Sequence, residues 1–77
     1  MSTLDRLKNL LVTVFDGEID PDSVDESSSL TEDIGLNSIG MLYMAMAIEE
    51  EFKVRMTNQD FSEIRTVADV VNKIESK

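Results

Sequence analysis

The residue whose type and setting most invite chemistry is Ser38, which stands in the stretch EDIGLNSIGMLYMAMAIEEEF just ahead of an apolar run closed by Glu49, Glu50 and Glu51. A serine there can cap a helix, attack an electrophile or carry a covalent group. Nucleophilic catalysis needs a base that draws off the hydroxyl proton, and the chain has no histidine and no cysteine. It is therefore not expected to be an enzyme. The other reactive groups are carboxylates: 16 acidic residues against 7 basic ones give a net charge of -9. That charge repels nucleic acid and anionic membrane surfaces and favours basic protein partners. Eight of the 16 (Asp16, Glu18, Asp20, Asp22, Asp25, Glu26, Glu32 and Asp33) fall between residues 16 and 37, where no lysine or arginine occurs. A calcium loop starting at Asp16 would use Glu18 and Asp20, but Pro21 stands where its glycine belongs and Ser27 where its glutamate belongs. The segment reads as a solvated acidic loop, and no metal site is expected.

The elements that must position these groups follow from periodicity. Leu4, Leu7, Leu11 and Val14 recur at helical spacing, widened by Leu10 and Phe15, and Ser2 with Asp5 forms a starting cap. Between Asp16 and Asn37 the pattern fails, and Gly17, Pro21, Ser27, Ser28, Ser29 and Gly35 punctuate a long connection. Ile19, Val24, Leu30 and Ile34 are expected to anchor it to the core, which makes it an ordered loop. A second helix should run from Ser38 to about Phe52 with Asn37 or Ser38 as its cap. A short helix is expected over Asn58 to Ile64. A terminal helix opens with Thr66 and Asp69 and buries Val67, Val70, Val71 and Ile74. The fold class is all-α: a small bundle of three main helices plus one short helix, with a long ordered loop between helices 1 and 2, in a single domain over residues 1–77. The N-terminus lacks a secretory apolar core and the longest apolar run is too short to span a bilayer, so a cytoplasmic monomer without membrane insertion is expected.

The second helix is apolar on most of its circumference, yet so small a domain cannot enclose it, and one face must look outward. Gly40, Tyr43, Ala47 and Glu50, which share a helical face and include the smallest and most polar residues, are the expected outward set. Met41, Met44 and Met46 read as core filler. Glu49, Glu50 and Glu51 oppose the helix macrodipole at about 0.3–1 kcal/mol each, which points to a use in docking a basic partner.

The run Asp33-Ile34-Gly35-Leu36-Asn37-Ser38-Ile39, followed one helix later by Ala47-Ile48-Glu49-Glu50-Glu51-Phe52, resembles the acyl carrier protein family. There the motif reads aspartate, leucine, glycine, any residue, aspartate, serine, leucine, and the likeness extends over essentially the whole chain. The resemblance implies a covalent 4′-phosphopantetheine on Ser38, with Asp33, Gly35, Leu36, Asn37 and Ile39 flanking the attachment turn. It implies a phosphopantetheinyl transferase as partner, together with acyl-loading and acyl-processing enzymes whose basic surfaces meet Tyr43, Glu49, Glu50 and Glu51. It also makes Met44, Met46 and Ile48 candidates for lining an acyl cavity. A carrier needs no catalytic residues of its own, because the cofactor bears the cargo. Four positions depart from the family: Asn37 replaces an aspartate, Ile39 a leucine, and Gly40 and Tyr43 stand where polar or acidic residues are usual. They suggest a specialised carrier. The readings that remain open from sequence are a carrier of aminoacyl or peptidyl groups and a helical interaction module without a prosthetic group.

Overall fold

The computed structural model describes residues 2–16 and 18–77, so Gly17, one of the glycines expected to break the loop, lies outside the described residues. The described residues form α1 (Thr3–Val14), a single 3₁₀ turn (Pro21–Ser23), α2 (Ser38–Phe52), α3 (Asn58–Glu63) and α4 (Val67–Glu75). The all-α bundle with a long loop after α1 is as expected from the periodicity. Among the described residues no helix is long and apolar enough to cross a membrane.

Local chemistry starts the helices. Ser2 Oγ accepts the Asp5 N–H at 3.1 Å, and full capping boxes, in which the cap and the third helical residue bond each other's backbone, open α3 at Thr57 and Asp60 and α4 at Thr66 and Asp69. The short helix stops at Glu63, one residue before the expected end, because Ile64 turns extended and buries its side chain. Leu7 and Leu11 of α1, Leu30 of the loop, Met44 and Ile48 of α2, and Val67 and Val70 of α4 meet in the interior with almost no exposed surface. At about 25 cal/mol per Å² of apolar area this core is the main source of stability.

The long loop is built from its own polar side chains as well as from its apolar anchors. Ile19, Val24 and Leu30 are buried and Ile34 half-buried. Several acidic residues close turns: Asp20 Oδ1 accepts the Asp22 N–H at 3.0 Å, Asp25 Oδ1 the Ser27 N–H at 2.9 Å, and Asp33 Oδ2 the Ser29 N–H at 2.6 Å. These residues are turn formers and not merely solvated charge. The loop's far end then attaches to the start of α4. Val67 N–H donates to the Ser28 carbonyl at 3.0 Å, Ala68 N–H to the Glu26 carbonyl at 2.9 Å, and Leu30 N–H to the Arg65 carbonyl at 2.9 Å. Two of the N–H groups that a helix start leaves without internal acceptors are satisfied in this way.

The C-terminal end of α2 receives from another helix the cation its own last turn lacks. Arg6 Nη2 donates to both the carbonyl and a carboxylate oxygen of Glu51, each at 3.2 Å, while its guanidinium lies 4.4 Å from the centre of the Phe52 ring. The ion pair is well exposed and worth little alone, but the carbonyl contact and the ring contact add to it. Arg6→Ala is expected to cost about 1 kcal/mol, read as a lower denaturation midpoint, and Arg6→Lys should recover only part of this because an ammonium cannot stack and donate in one plane.

No residue of α3 is fully buried, and ion pairs fasten it to α4 and the residues after it: Lys77 Nζ lies 2.7 Å and Lys73 Nζ 3.4 Å from Asp60, and Lys73 also pairs with Glu63. The hydrogen bond from Lys77 beside Asp60, and that from Lys73 beside Glu63, hold both carboxyls below their ordinary values. Because the folded values are depressed, this stabilisation is complete above the unfolded carboxylate range, begins to be lost as pH falls through it, and goes on being lost down to the depressed folded values. The melting temperature should therefore drop between pH 5 and pH 3, and drop less in a Lys73→Met variant, which has less of this linkage to lose.

Candidate functional site

Ser38 is the first helical residue of α2 and is exposed, and the turn before it is held in place by its neighbours. Gly35 takes a φ of 90°, a left-handed conformation that a side chain would strain. Leu36 then buries its side chain, and its N–H donates to the Leu30 carbonyl at 2.9 Å, which ties the turn to the loop's deepest anchor. Asn37 is the cap: its Oδ1 accepts the Gly40 N–H at 2.8 Å and its carbonyl accepts the Met41 N–H at 2.8 Å. Of the two residues considered for the cap, Asn37 fills the role because it alone has the extended backbone that aims a side chain back at the helix start. The Ser38 hydroxyl is thereby left out of the capping arrangement.

With Gly40 and Met41 satisfied, the N–H groups of Ser38 and Ile39 have no acceptor inside the helix and lie at the positive end of its dipole, a setting that favours an anion. Beside the turn lies a shallow hollow of about 270 Å³ lined by Phe15, Ile19, Ile34, Leu36, Asn37 and Gly40 among others. An anionic ester on Ser38 Oγ fits this surface, since the side chain is open to solvent and the adjacent amides need acceptors. Asp33, five residues upstream, accepts the Ser29 N–H on its carboxylate and so serves the loop's geometry.

α2 exposes Tyr43 and Glu50 as expected from sequence, but the rest of its outward face differs. Gly40 is buried and Ala47 half-buried, whereas Ile39, Leu42, Tyr43 and Met46 are exposed at 64%, 57%, 57% and 63%. The reason is packing: a Cβ on Gly40 would sit in van der Waals contact, 3.4 Å from both Leu36 Cδ2 and Asn37 Oδ1, so the turn ahead of the helix covers this position and it does not open to solvent. Met41 and Met44 are core filler as expected, but Met46 points outward and cannot line an interior cavity with Met44 and Ile48.

The three glutamates have separate situations. Glu49 Oε2 accepts the Met56 N–H at 2.8 Å, which secures the segment leaving α2, and Glu51 pairs with Arg6. Glu50 is exposed. Ile39, Leu42 and Met46 were missed as surface residues, and since α2 is apolar nearly all round, its hydrophobic pattern carries no signal for which side faces out.

The chain matches, over residues 5–74, the family described as phosphopantetheine attachment site. It is 33% identical over 76 residues to an acyl carrier protein of Wolinella succinogenes, covering 99% of this chain and 97% of that one. It is 34% identical over 76 residues to one of Campylobacter jejuni, covering 99% and 96%. An acyl carrier protein of Chlamydia caviae is 32% identical over 77 residues, covering 100% and 97%.

Proposed function

The chain belongs to the acyl carrier protein family, and from that premise we propose that Ser38 is the residue that bears its 4′-phosphopantetheine and that acyl groups are carried there for fatty acid, polyketide or related biosynthesis. The observation that carries this reading is the division of labour at the start of α2: Asn37 caps the helix, and the exposed Ser38 hydroxyl next to it is left for modification. A phosphopantetheinyl transferase would join the Ser38 oxygen to the phosphorus bearing the pantetheine half of coenzyme A, with the hydroxyl proton lost and the nucleotide half leaving. When bound, the group supplies the thiol that holds the acyl cargo as a thioester. The chain's own part is to fix the turn through Gly35, Leu36 and Asn37, to offer the Ser38 and Ile39 N–H groups to the phosphodiester, and to present the whole to partner enzymes. Acyl-loading and acyl-processing enzymes are the further partners this reading requires, and the cargo-bearing thiol removes any need for catalysis by the chain itself.

The test is intact-mass spectrometry after incubation with coenzyme A, magnesium and a broad-specificity transferase, followed by peptide mapping. One phosphopantetheine per chain, mapped to Ser38, is expected. No added mass, or a mass mapped to Ser27, Ser28 or Ser29, rejects the assignment.

Asn37 allows a finer prediction. Aspartate and asparagine cap helices about equally, so Asn37→Asp should leave stability within a few tenths of a kcal/mol. A carboxylate next to Ser38 would sit where magnesium and the coenzyme A pyrophosphate come together in the transferase complex. The initial rate of modification by a transferase of fatty-acid type is expected to rise several-fold at an unchanged melting temperature. Equal rates would show that the amide serves as well as the acid.

A further inference from the structure

We infer that Lys53 and Arg55, in the connection between α2 and α3, decide which enzymes can act on the Ser38-borne group: they turn away an enzyme whose carrier-binding surface is basic throughout and admit one that places carboxylates opposite them. This rests on the attachment of that group at Ser38. From Asn9 to Phe52 the chain holds no lysine or arginine, and then two cations follow within three residues. Both are exposed, whereas Val54 and Met56, which alternate with them, are half-buried. The segment is therefore held by its apolar side chains and shows its charges to solvent. Its far end is also fixed through the backbone, since Met56 N–H donates to Glu49 Oε2 at 2.8 Å.

The nearby carboxylates do not cancel these charges. Glu49 is used on the Met56 N–H and Glu51 pairs with Arg6. Arg6, Lys73 and Lys77 make the ion pairs found among the described residues, and neither Lys53 nor Arg55 takes part in one. Lys53 is also an unusual residue for its place. It ends α2 in the left-handed region, with φ 55° and ψ 40°, where glycine or asparagine carries less strain. A cation there complements the helix dipole, but Arg55 stands beyond the helix end, past the reach of that effect, and repeats the charge.

Position and net charge select the occupant. Lys53 follows the last residue of α2, about 20 Å along the helix axis from Ser38. A partner that works at Ser38 and extends this far meets two positive charges just past the exposed carboxylate of Glu50. A uniformly basic surface gains at Glu50 and loses at Lys53 and Arg55, whereas one with acidic groups at the second place gains at both. Nucleic acid and anionic membranes are repelled by the net charge of -9, and so is a second copy of the chain. An enzyme with carboxylates at this point is the occupant that fits.

The test is malonyl transfer to the modified chain by a malonyl transferase of fatty-acid type chosen for a basic carrier-binding surface; the thiol of the arm takes the malonyl group and coenzyme A leaves. At ~20 mM salt, Lys53→Glu/Arg55→Glu should raise kcat/KM for the carrier about tenfold, through KM, and Lys53→Gln/Arg55→Gln about threefold. At ~300 mM salt both gains should shrink to less than half of these values. Both positions are exposed, and matching circular dichroism spectra are expected. Exchanging the basic residues of the enzyme surface for glutamate, one at a time, should yield at least one enzyme that prefers the unsubstituted chain to the reversed one. A gain below twofold in both variants, a loss, a gain that salt leaves intact, or the lack of such an enzyme overturns the inference while leaving Ser38 as the attachment point. No modification of the unsubstituted chain overturns the attachment reading and this inference with it. A dimer at about 100 μM by light scattering that dissociates on charge reversal overturns it in favour of self-association.

Discussion

Replacing Ser38 by alanine is expected to abolish addition of the phosphopantetheine mass while leaving the melting temperature within a few degrees of the parent chain. The two halves of this result separate chemistry from folding. Ser38 is the first residue inside α2, a position where alanine is well tolerated, and the cap is provided by Asn37 Oδ1 on the Gly40 N–H at 2.8 Å. The variant loses its nucleophile and keeps its helix start. Nearby serines cannot stand in readily: Ser28 is buried, Ser27 Oγ–H donates to Asp25 Oδ1 at 2.6 Å, and Ser29 Oγ accepts the Glu32 N–H at 3.1 Å. Mass spectrometry of both proteins under one set of conditions, beside their thermal melts, checks this. Residual addition above a few per cent would place the attachment elsewhere, and a large loss of stability would show that Ser38 has a structural role.

Leu30→Ala should have the largest effect on stability of any substitution in the loop. Leu30 is fully buried in the core although it belongs to no helix, and truncating such a leucine costs about 3–5 kcal/mol through lost transfer energy and the cavity left behind. A domain of this size has in total only roughly 4–12 kcal/mol to lose. The melting temperature is expected to fall by on the order of 15 °C. A second consequence follows from position, because the Leu30 backbone bonds Arg65 on one side and Leu36 on the other. Loosening it loosens the turn that presents Ser38. The rate of modification should therefore fall at temperatures where the variant is still folded, whereas Ile39→Ala, at a position 64% exposed, should leave stability nearly unchanged. A Leu30→Ala chain within 1 kcal/mol of the parent would mean that the core refills the space.

Some of this arrangement can be read from sequence because its causes are local. The cap pairs Ser2 with Asp5 and Thr66 with Asp69 are three residues apart and bond as their spacing requires. The loop anchors Ile19, Val24 and Leu30 are isolated apolar residues among polar ones, and burial is the only environment that suits them. The turn ahead of Ser38 is legible for the same reason, since Gly35 and Asn37 each act within a few residues of themselves. Most of what was hidden depends on distant partners. Glu51 meets Arg6 across 45 positions, which turns an unfavourable charge at a helix end into part of a clamp. The rotation of α2 is set by how α1 packs on it, and a helix apolar all round shows no preference of its own, so Gly40 was placed outside and Met46 inside. The turns of the acidic loop went unread because a carboxylate that closes a turn looks in sequence like one that is merely solvated.

The bonds between the far end of the loop and the first residues of α4 also set an order of events in the living cell. Ser38 reaches its final setting only when Leu30 has found Arg65, and when Ser28 and Glu26 have found Val67 and Ala68. These contacts join segments nearly 40 positions apart. A ribosome adding roughly 5–20 residues each second makes Ser38 some seconds before Ala68. During that interval the serine is already in the chain, but its helix start lacks the support of the loop and of α4. On the proposed attachment at Ser38, a transferase that recognises the finished turn would pass over nascent chains and act on released ones, so the pool available for priming should track completed protein and not the message being translated.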